Sequence, residues 1–516
     1  MRFFCIICAE KGFVKCGAKG RHAACAAKAL DKRGAMGYDE SIEIRFRSKQ
    51  IGRNPRPGLE EPLKIMIAGA GKVGFALASL LSSEGHDITV IDDREDRINN
   101  ASNTLDVISM EGNACSFALL EEARVKEAEL FIAATGRDET NMIACAAAKH
   151  LGAGCTLARI QDPIYMSERD HLRQGFGIQA LFNPDLETAR EISRILRFPT
   201  AMRVETFAKG GAELVEYRVP ERSPLEGLTL AQLPRRFHAR VLVCAAERDG
   251  EICIPNGGYV LRGGDRLSIF GDRAQLRNFF IAVHAYKQPV RNAMLLGGSR
   301  IAVYLARQLT EIGMRVVVIE RDRARCERLC ELLPRVSIRC GDGTRREVLE
   351  EEGIADMDAF VALTGYDEDN IILSMYANAC QVDKVVTKVS DDHFSKMLTR
   401  SGLDCFVCPK LLAAEQIVQY VRAMDNAAGS VVETLYRLVD GKVEALQFPV
   451  EARSRCCGRP LRELRLRHDI LIGAVIQGGV CRIPAGDTVM RAGDRAVVVT
   501  THSGLRNLDA ILEPEA

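Results

Sequence analysis

The stretch LKIMIAGAGKVGFALASLLSSEGHDITVIDD, residues 63–93, decides the fold. An apolar run from Ile65 to Ala68 predicts a strand, and after a glycine-rich turn an amphipathic run to Leu81 predicts a helix. A second apolar run, Ile88 to Ile91, predicts another strand, which Asp92 closes. Strand, glycine turn, helix, strand and acid follow one another in the order of a nucleotide-binding βαβ unit.

The glycines of this turn each have a physical role. Gly69 makes the tight turn, Gly71 lets the backbone approach a pyrophosphate, and Gly74 lets helix and strand pack closely. The helix N-terminus then presents unpaired N–H groups to the phosphates. The candidate cofactor-binding residues of the turn are Gly69, Ala70, Gly71, Lys72, Val73 and Gly74. The alternative is a glycine turn in an α/β fold that binds no ligand.

The acid after the second strand bears on the choice of cofactor. Asp92 lies 18 residues after Gly74, where a carboxylate accepts hydrogen bonds from ribose hydroxyls. The same negative charge repels a 2′-phosphate. The pattern therefore favours NAD or an adenosine nucleotide over NADP.

Composition and charge exclude several classes of protein. With 516 residues, the chain is long enough for several domains. Its net charge of +1 carries no general basic bias, so charge does not suggest a nucleic-acid partner. The 18 cysteines are scattered, many in apolar runs, which predicts reduced thiols rather than disulfides. No uncharged apolar run approaches the roughly 20 residues of a membrane-spanning helix.

Residues 1–62 do not fit the pattern of the rest of the chain. They lack a sustained helix or strand period, and we expect an N-terminal extension that is disordered, or even an over-extended gene start. One alternative is a metal cluster, but its candidate ligands match no common zinc spacing. These candidates are Cys5, Cys8, Cys16, His22 and Cys25. Another is a signal peptide, but a long apolar region is missing.

From Leu63 strands and helices alternate. Strands are predicted at Val107 to Met110, Leu130 to Ala134 and Thr156 to Ile160, with helices between them, so residues 63–186 form a doubly wound parallel sheet. In such sheets ligands bind beyond the carboxyl ends of the strands. The further candidate residues at these ends are Gly112, Asn113, Thr135, Gly136 and Arg159.

A smaller domain is predicted over residues 203–287. Met202 to Phe207 and Ala212 to Val219 are expected to pair as strands around Lys209-Gly210-Gly211, and Leu225 to Leu233 to be a short helical piece. The remaining expectations are strands at Val241 to Ala246, Ile252 to Ile254, Tyr259 to Leu261 and Arg266 to Phe270, and a helix at Ala274 to Val283. This is a small α+β domain.

The chain then repeats itself. The spacing from Gly69 to Gly297 differs by a single position from the spacing of Arg159 to Lys388. The segments 134–141 and 363–370 are related by the same spacing as Arg159 and Lys388. A nearly constant offset over so many positions indicates a tandem duplication of a two-domain unit. The second copy is predicted to comprise a sheet domain at residues 291–410 and a small α+β domain at residues 430–514.

The second copy differs at the glycine turn. Ser299 replaces the middle glycine and Ala302 the third, while Arg300 offers a charge-assisted bond to a phosphate. We therefore expect a second site that is weaker or has another preference; the alternative is a vestigial half kept for packing. Its candidate residues are Gly297, Gly298, Ser299, Arg300, Ile301, Glu320, Gly341, Asp342, Thr364 and Lys388.

These motifs resemble a known family. The segments that carry the resemblance are GAGKVG at 69–74, VIDD at 90–93, EGNA at 111–114, ATGRDETNM at 134–142, ARI at 158–160 and their second-copy counterparts. The small domains add Ile254-Pro255 with Gly264-Asp265, and Ile483-Pro484 with Gly493-Asp494. Over residues 63–514 the chain is similar to the tandem RCK (regulator of potassium conductance) family, the regulatory subunits of bacterial Trk potassium uptake systems.

The resemblance implies a function and a set of partners. Members are cytoplasmic proteins, peripheral on the inner face of the cell membrane, without catalytic turnover. They bind NAD(H), and adenine nucleotides such as ATP and ADP. They form a homo-oligomeric ring, expected to be a tetramer, under an integral membrane potassium-translocating subunit of the TrkH/TrkG type. Carried over by position, residues 69–73 hold the pyrophosphate, Asp92 the ribose, and Arg159 a phosphate, while Thr135 and Gly136 line the site.

Two other functions remain open. An NAD-dependent oxidoreductase needs a proton donor at the nicotinamide, for which His238 and His284 are candidates. A redox-sensing transcription factor needs a basic DNA-reading domain, and the chain offers only one dense basic run, Arg453 to Arg467, which acidic residues interrupt. The pair Cys405 and Cys408 has the spacing of a dithiol site but matches an ordinary turn in the first copy.

Overall fold

The computed structural model describes residues 62–207, 212–390, 397–398, 401–403, 405–427, 434–438, 442–502, 505 and 507–513. The predicted N-terminal extension lies outside the described residues, apart from Pro62, and so does the predicted turn at 209–211. Within the described residues, every helix is too short or too polar to cross a bilayer.

The first sheet is parallel throughout, in the order β3-β2-β1-β4-β5-β6. Its strands are β1 Lys64–Ala68, β2 Asp87–Asp92, β3 Ile108–Glu111, β4 Leu130–Ala133, β5 Cys155–Arg159 and β6 Ala180–Phe182. The helices that connect them are α1 Lys72–Ser83, α2 Glu95–Thr104, α3 Phe117–Glu122, α4 Asp138–His150, α5 Pro163–Ser167 and α6 Arg169–Phe176. The strand order reverses between β1 and β4, which is where such folds bind their ligand.

A long helix, α7 Pro184–Arg197, leads from this sheet into an antiparallel one with the order β10-β9-β11-β8-β7. The elements of this second unit are β7 Arg203–Phe207, β8 Ala212–Arg218, α8 Leu233–Phe237, β9 Leu242–Arg248, β10 Glu251–Cys253, β11 Arg266–Gly271 and α9 Arg273–Ala282. Aromatic side chains of α9, Phe279 and Phe280, fill its core.

The second copy repeats this plan. Its parallel sheet has the order β14-β13-β12-β15-β16-β17 and its antiparallel sheet the order β18-β19-β22-β20-β21. The first sheet and its helices are β12 Asn292–Leu296, α10 Arg300–Glu311, β13 Arg315–Glu320, α11 Arg323–Leu332, β14 Ser337–Cys340, α12 Arg346–Glu351, β15 Ala359–Ala362, α13 Asp367–Ala379, β16 Lys384–Lys388, β17 Phe406–Val407 and α14 Pro409–Ala427. The second sheet is β18 Thr434–Leu438, β19 Val443–Pro449, β20 Ile470–Gln477, β21 Val480–Arg482 and β22 Arg495–Thr500. The predicted fold class, two Rossmann-like domains each followed by a small α+β domain, is confirmed.

The two copies exchange their long helices. Helix α7 of the first copy packs on α10 of the second, and its Ile192 and Ile195 join the core of the second parallel sheet. Helix α14 of the second copy packs in turn on α1, and its Ile417 and Val421 join the core of the first parallel sheet. The two antiparallel sheets share a further apolar cluster. The halves are therefore interlocked by buried apolar side chains, whose removal from water stabilises the arrangement.

The structure differs from some local predictions. Tyr259 to Leu261 is not a strand of the sheet. Its backbone hydrogen bonds go instead to residues 227–230, with the Leu261 amide donating to the Leu228 carbonyl. The segment predicted as helical at 225–233 becomes helical only at residue 230.

Candidate nucleotide-binding sites

The first glycine turn has the geometry of a phosphate cradle. Gly69 has φ +103°, and a Cβ there would lie 2.8 Å from the Thr135 nitrogen. At Gly74 a Cβ would lie 1.7 Å from the carbonyl oxygen of Gly69, so the closeness of turn and helix requires glycine. Around Gly71 the space is open, with only the Arg97 side chain within 4 Å of a built Cβ, the nearest atom at 3.7 Å. The middle glycine is therefore not required by the protein's own packing, and its open side suits a ligand.

Asp92 ties this turn to the end of β2. Its carboxylate accepts hydrogen bonds from the Ala70 amide at 2.6 Å and the Arg94 amide at 3.0 Å, and Arg97 Nη1 lies 3.3 Å from it. The residue is buried, so this carboxylate is held in one orientation at the strand end. The carboxylate oxygens retain further lone pairs, which can accept hydrogen bonds from ribose hydroxyls.

The ends of β3 and β4 complete the edge. Gly112 donates its amide to the Asp92 carbonyl, and a Cβ on it would lie 2.7 Å from Leu119 Cδ2. Asn113 follows it in a turn in which its side chain accepts from the Cys115 amide. At the end of β4 the amide and hydroxyl of Thr135 both donate to the Asn141 side chain, and a Cβ on Gly136 would meet no atom within 4 Å.

Arg159, at the end of β5, adds a cation to this edge. Its Nη1 donates to the Thr135 carbonyl at 3.3 Å, whereas its Nε is buried without a hydrogen-bond partner. Burial lowers the pKa of this guanidinium, Asp185 opposes that effect and Arg300 adds to it. A buried donor on a cation lowers the stability of the fold when it has no hydrogen-bond partner. A bound anion would accept this hydrogen bond and balance the charge.

The second glycine turn has the same backbone geometry as the first, but its helix N-terminus is less available to a phosphate. Gly297 has φ +94°, and Gly298 donates its amide to Glu320 at 2.8 Å, as Ala70 does to Asp92. The Ser299 hydroxyl accepts from the Ala302 amide at 3.3 Å and so caps α10. In the first copy no side chain caps α1 at Gly71. Part of the donor set that would receive a phosphate is thus already used in the second copy.

The remaining second-copy residues repeat the pattern of the first. Gly341 donates to the Glu320 carbonyl, and Asp342 accepts from Thr344, which holds the pKa of that carboxyl below its usual range. Ile301 is buried in the first turn of α10. At the end of β15 Thr364 bonds to Asn370, as Thr135 does to Asn141. Lys388 Nζ donates to the Thr364 carbonyl at 2.7 Å.

Arg300 does not lie where the sequence suggested. Its Nε is 3.0 Å from Asp185 Oδ2, across the contact between α10 and α7, so the side chain reaches toward the first copy. Gln161 Nε2 donates to the same oxygen at 2.9 Å. The expectation that Arg300 compensates for Ser299 at its own turn is therefore not how the side chain is placed in the structure.

Sequence reasoning missed two kinds of site residue. Arg97 and Arg325, which are related by the same spacing as Gly69 and Gly297, flank the acids of the two turns. Asn141 and Asn370 are fully buried, and each bridges the ends of two neighbouring strands by donating to the carbonyl of Arg159 or Lys388. The repeated D-E-x-N segment was the available signal, since it placed an asparagine at the same position in both copies.

Other candidates lie away from these edges. His238 and His284 are exposed and follow the ends of α8 and α9 in the first antiparallel unit. Cys405 and Cys408 are buried thiols. No cluster of potential metal ligands occurs among the described residues.

Comparison with known proteins agrees with this arrangement. The TrkA-N domain model matches residues 65–184 and 293–409, and the TrkA-C domain model matches residues 214–280 and 445–513. Together they cover well over half of the chain, in the order N, C, N, C. The chain belongs to the TrkA family. The predicted resemblance is thereby confirmed, and it places the chain among Trk potassium uptake regulatory proteins.

Two relatives span almost the whole matched region. The "Trk system potassium uptake protein TrkA homolog" of Archaeoglobus fulgidus is 32% identical over 453 residues, which are 87% of this chain and 100% of the relative. The "Trk system potassium uptake protein TrkA" of Vibrio alginolyticus is 30% identical over 457 residues, 88% of this chain and 99% of the relative.

Solved structures share the fold. The "GsuK Channel" superposes with a TM-score of 0.57 at 18% identity, covering 88% of this chain and 79% of that one. The "GsuK channel bound to NAD" gives 0.56 at 18% identity, covering 93% and 81%. At these identities the likeness concerns the fold alone.

Proposed function

We propose that this TrkA-family chain is the peripheral cytoplasmic regulatory subunit of a Trk-type potassium uptake system. In this role it binds NAD(H) or adenine nucleotides and gates an integral membrane subunit of the TrkH/TrkG type. A nucleotide that binds one conformation of the regulator more tightly shifts the attached subunit toward open or closed. Each tenfold difference in affinity contributes about 1.4 kcal/mol to that shift.

The observation that carries the nucleotide part is the edge of the first parallel sheet. There an uncapped helix N-terminus at Gly71 lies beyond the end of β1, and the partnerless Nε of Arg159 lies at the end of β5, with β4 between the two strands. Both features suit a phosphate group, and Asp92 stands at the strand end where a ribose binds in such folds. A structural neighbour, the GsuK channel bound to NAD, supports the same ligand class.

Oligomerisation is the second part of the proposal. Ile143 on α4 and Ile372 on α13 occupy equivalent positions of the two copies, and both side chains are more than half exposed. Apolar groups repeated on the same face of both copies are suited to contacts between chains. We propose a ring of copies, a tetramer, that places these faces against one another under the membrane subunit.

A catalytic role finds no comparable support. His238 and His284 are exposed at helix ends of an antiparallel unit, and neither belongs to the strand ends that would hold a nicotinamide. General acid–base catalysis needs such a group within hydrogen-bond reach of the substrate. We therefore propose a regulator without turnover.

The test joins nucleotide binding to transport. The chain is expressed with its membrane subunit in cells that lack other potassium uptake, and uptake is measured for wild type, Asp92→Ala and the matched control Asp93→Ala, an exposed neighbouring carboxylate. We expect Asp92→Ala to lose NAD binding in calorimetry and control of uptake, and Asp93→Ala to keep both. If Asp92→Ala lost binding but still controlled uptake, the proposal would be wrong.

A further inference from the structure

A lysine and a cysteine are in direct contact where the second parallel sheet meets the first copy. Lys384 begins β16, and its side chain is buried. Its Nζ donates hydrogen bonds to the carbonyl oxygens of Pro199 at 3.0 Å and Ala201 at 2.5 Å, in the segment that leads from α7 into β7. The same nitrogen lies 2.9 Å from Cys405 Sγ. The three N–H groups of the ammonium therefore have three acceptors, two carbonyl oxygens and one sulfur.

The sulfur is the member of this set of acceptors that can carry a negative charge. A buried ammonium lowers the stability of the fold unless an opposite charge or good acceptors compensate for the loss of water. Lys287, after the last helix of the first antiparallel unit, donates through its Nζ to the Asp383 carbonyl, so a second ammonium contacts the residue before Lys384. Neighbouring positive charges stabilise a thiolate, which is the nucleophilic form of cysteine. Cys405 therefore has the surroundings of a reactive thiol.

The sulfurs of two other buried cysteines contact backbone carbonyls instead. Cys145 Sγ lies 3.3 Å from the Leu157 carbonyl oxygen, and Cys244 Sγ lies 3.7 Å from that of Leu242. Burial raises the pKa of both thiols, that of Cys244 to about 12. These two residues serve as internal references for a buried thiol that no ammonium activates.

Cys408, although close in sequence, is not placed to react with Cys405. Cys405 belongs to the apolar cluster on one face of the second parallel sheet, and Cys408 belongs to the cluster on the other face. Cys408 Sγ lies 3.7 Å from the Ser390 carbonyl oxygen. The group in contact with the Cys405 sulfur that can act as a nucleophile is therefore the amine of Lys384.

We propose that Lys384 and Cys405 form a site of oxidative modification, at which a peroxide leads to a covalent bond between the sulfur and the lysine nitrogen. Hydrogen peroxide transfers one oxygen atom to the sulfur and leaves as water, so the thiol becomes a sulfenic acid. The Lys384 nitrogen then attacks this sulfur, and the S–O bond breaks as the S–N bond forms. The ammonium releases two protons, one to the departing hydroxyl, which leaves as water, and one to solvent. The product is a sulfenamide, which a dithiol reduces back to thiol and amine.

Access of the oxidant requires only a small opening. Cys405 is 7% exposed, and hydrogen peroxide is small enough to reach the sulfur when this contact opens transiently. Larger thiol reagents need a wider opening and should react with Cys405 more slowly than with exposed cysteines.

The modification should weaken the contact between the copies. The sulfenamide nitrogen keeps one N–H group, whereas the ammonium donates to the carbonyls of both Pro199 and Ala201. At least one of these carbonyls therefore loses its lysine partner, and an unpartnered buried acceptor destabilises the packing around it. Oxidation should loosen the segment 198–203 on the second parallel sheet. This inference does not depend on the proposed binding of nucleotides.

The experiment follows the oxidation of the full chain by mass spectrometry. The reduced protein is treated with hydrogen peroxide, its remaining thiols are alkylated in denaturant, and tryptic peptides are compared with and without dithiothreitol. We expect a cross-linked peptide that joins residues 384 and 405, lacks two hydrogen atoms relative to its separate parts and disappears on reduction. Cys405 should be consumed at least about tenfold faster than Cys145 and Cys244. Hydrogen exchange of residues 198–203 should be faster in the oxidised chain than in the reduced one.

Two conservative variants are the controls. Cys408→Ser should form the same cross-link, whereas Cys405→Ser should form none and should show no change in the exchange of residues 198–203 on treatment with peroxide. The inference is wrong if Cys405 reacts no faster than the two reference cysteines, or if it is oxidised without a bond to Lys384. A disulfide between Cys405 and Cys408 would also overturn it. A peroxide-dependent rise in exchange that persists in Cys405→Ser would contradict the effect on the contact between the copies.

Discussion

Gly71 and Gly74 of the first turn differ in what surrounds them, and their substitution should separate stability from binding. Gly74→Ala places a Cβ 1.7 Å from the Gly69 carbonyl oxygen, so α1 must move away from the turn. Overpacking of this kind typically costs 1–3 kcal/mol, and we expect about 3 kcal/mol here because the obstacle is backbone. For a unit of this size that lowers Tm by roughly 6–12 °C.

Gly71→Ser should behave in the opposite way. Gly71 has an ordinary φ of −69°, and the nearest atom to a built Cβ is Arg97 Nη1 at 3.7 Å. Serine is also a better helix N-cap than glycine by a few tenths of a kcal/mol, a role that Ser299 already fills in the second copy. We therefore expect unchanged or slightly raised stability. Binding should weaken about ten- to a hundredfold, because the side chain separates one phosphate from its charge-assisted N–H donors, each worth roughly 1.5–3 kcal/mol.

Calorimetry with NAD and thermal unfolding of both variants check this pair of outcomes. Ser299→Gly is the reciprocal control, and it should improve nucleotide binding by the second copy at a small cost in the stability of α10. The reasoning is refuted if Gly71→Ser binds NAD as wild type does, since the phosphates would then not rest on this turn. It is equally refuted if Gly74→Ala unfolds at the wild-type temperature.

Three further outcomes follow from buried polar groups. Asn141→Ala leaves the Thr135 amide and a strand-end carbonyl without their partner, and should lower the free energy of unfolding in urea by about 3 kcal/mol. Arg422→Ala removes the cation that lies between the carboxylates of Glu84 and Glu444, and should lower that free energy by about 3–5 kcal/mol. The pKa of Lys388 is lowered, so its positive charge is lost at a lower pH than that of an ordinary lysine. ATP binding by the second copy should therefore weaken as pH rises through that pKa. Calorimetry over a pH series measures this change.

Control variants at exposed residues show how much stability is lost when a contact is not buried. Asn113→Ala removes an exposed turn contact and should cost at most about 1 kcal/mol, and Arg346→Ala removes an exposed ion pair, whose loss should be smaller than either buried loss. Losses as small for Asn141→Ala or Arg422→Ala would mean that those buried contacts do not form. If Lys388→Met, which has no charge to lose, kept the same pH dependence, the pH effect would belong to another group.

Much of the fold was predictable because the same sequence pattern occurs in both copies. The glycine turn, the closing acid and the strand ends recur at a nearly constant offset, so each prediction in one copy was checked by the other. Helix α2 was not predicted, because only Ile98 and Ala101 of its polar sequence are buried and the apolar period is weak. Propensity and period carry little information for such a helix.

The contacts between the copies could not be read from the sequence. Spacing within one copy places Arg300 at its own glycine turn, whereas the packing of α7 on α10 brings it to Asp185. The exchange of α7 and α14 is likewise set by tertiary packing. The apolar pattern of an amphipathic helix does not show which of the two parallel sheets it covers. Residues 185 and 410 each follow the proline that begins an exchanged helix, and at this position the two copies carry opposite charge.

Potassium flux into vesicles tests nucleotide-dependent control of potassium permeation most directly. The membrane subunit is reconstituted with the full chain, and flux is recorded with NAD, NADH, ATP, ADP or no nucleotide, for wild type and for Gly71→Ser. With wild type at least one nucleotide should change the flux several-fold, and this change should be lost with Gly71→Ser. A flux that depends on the chain but is the same with every nucleotide and with none would contradict this control.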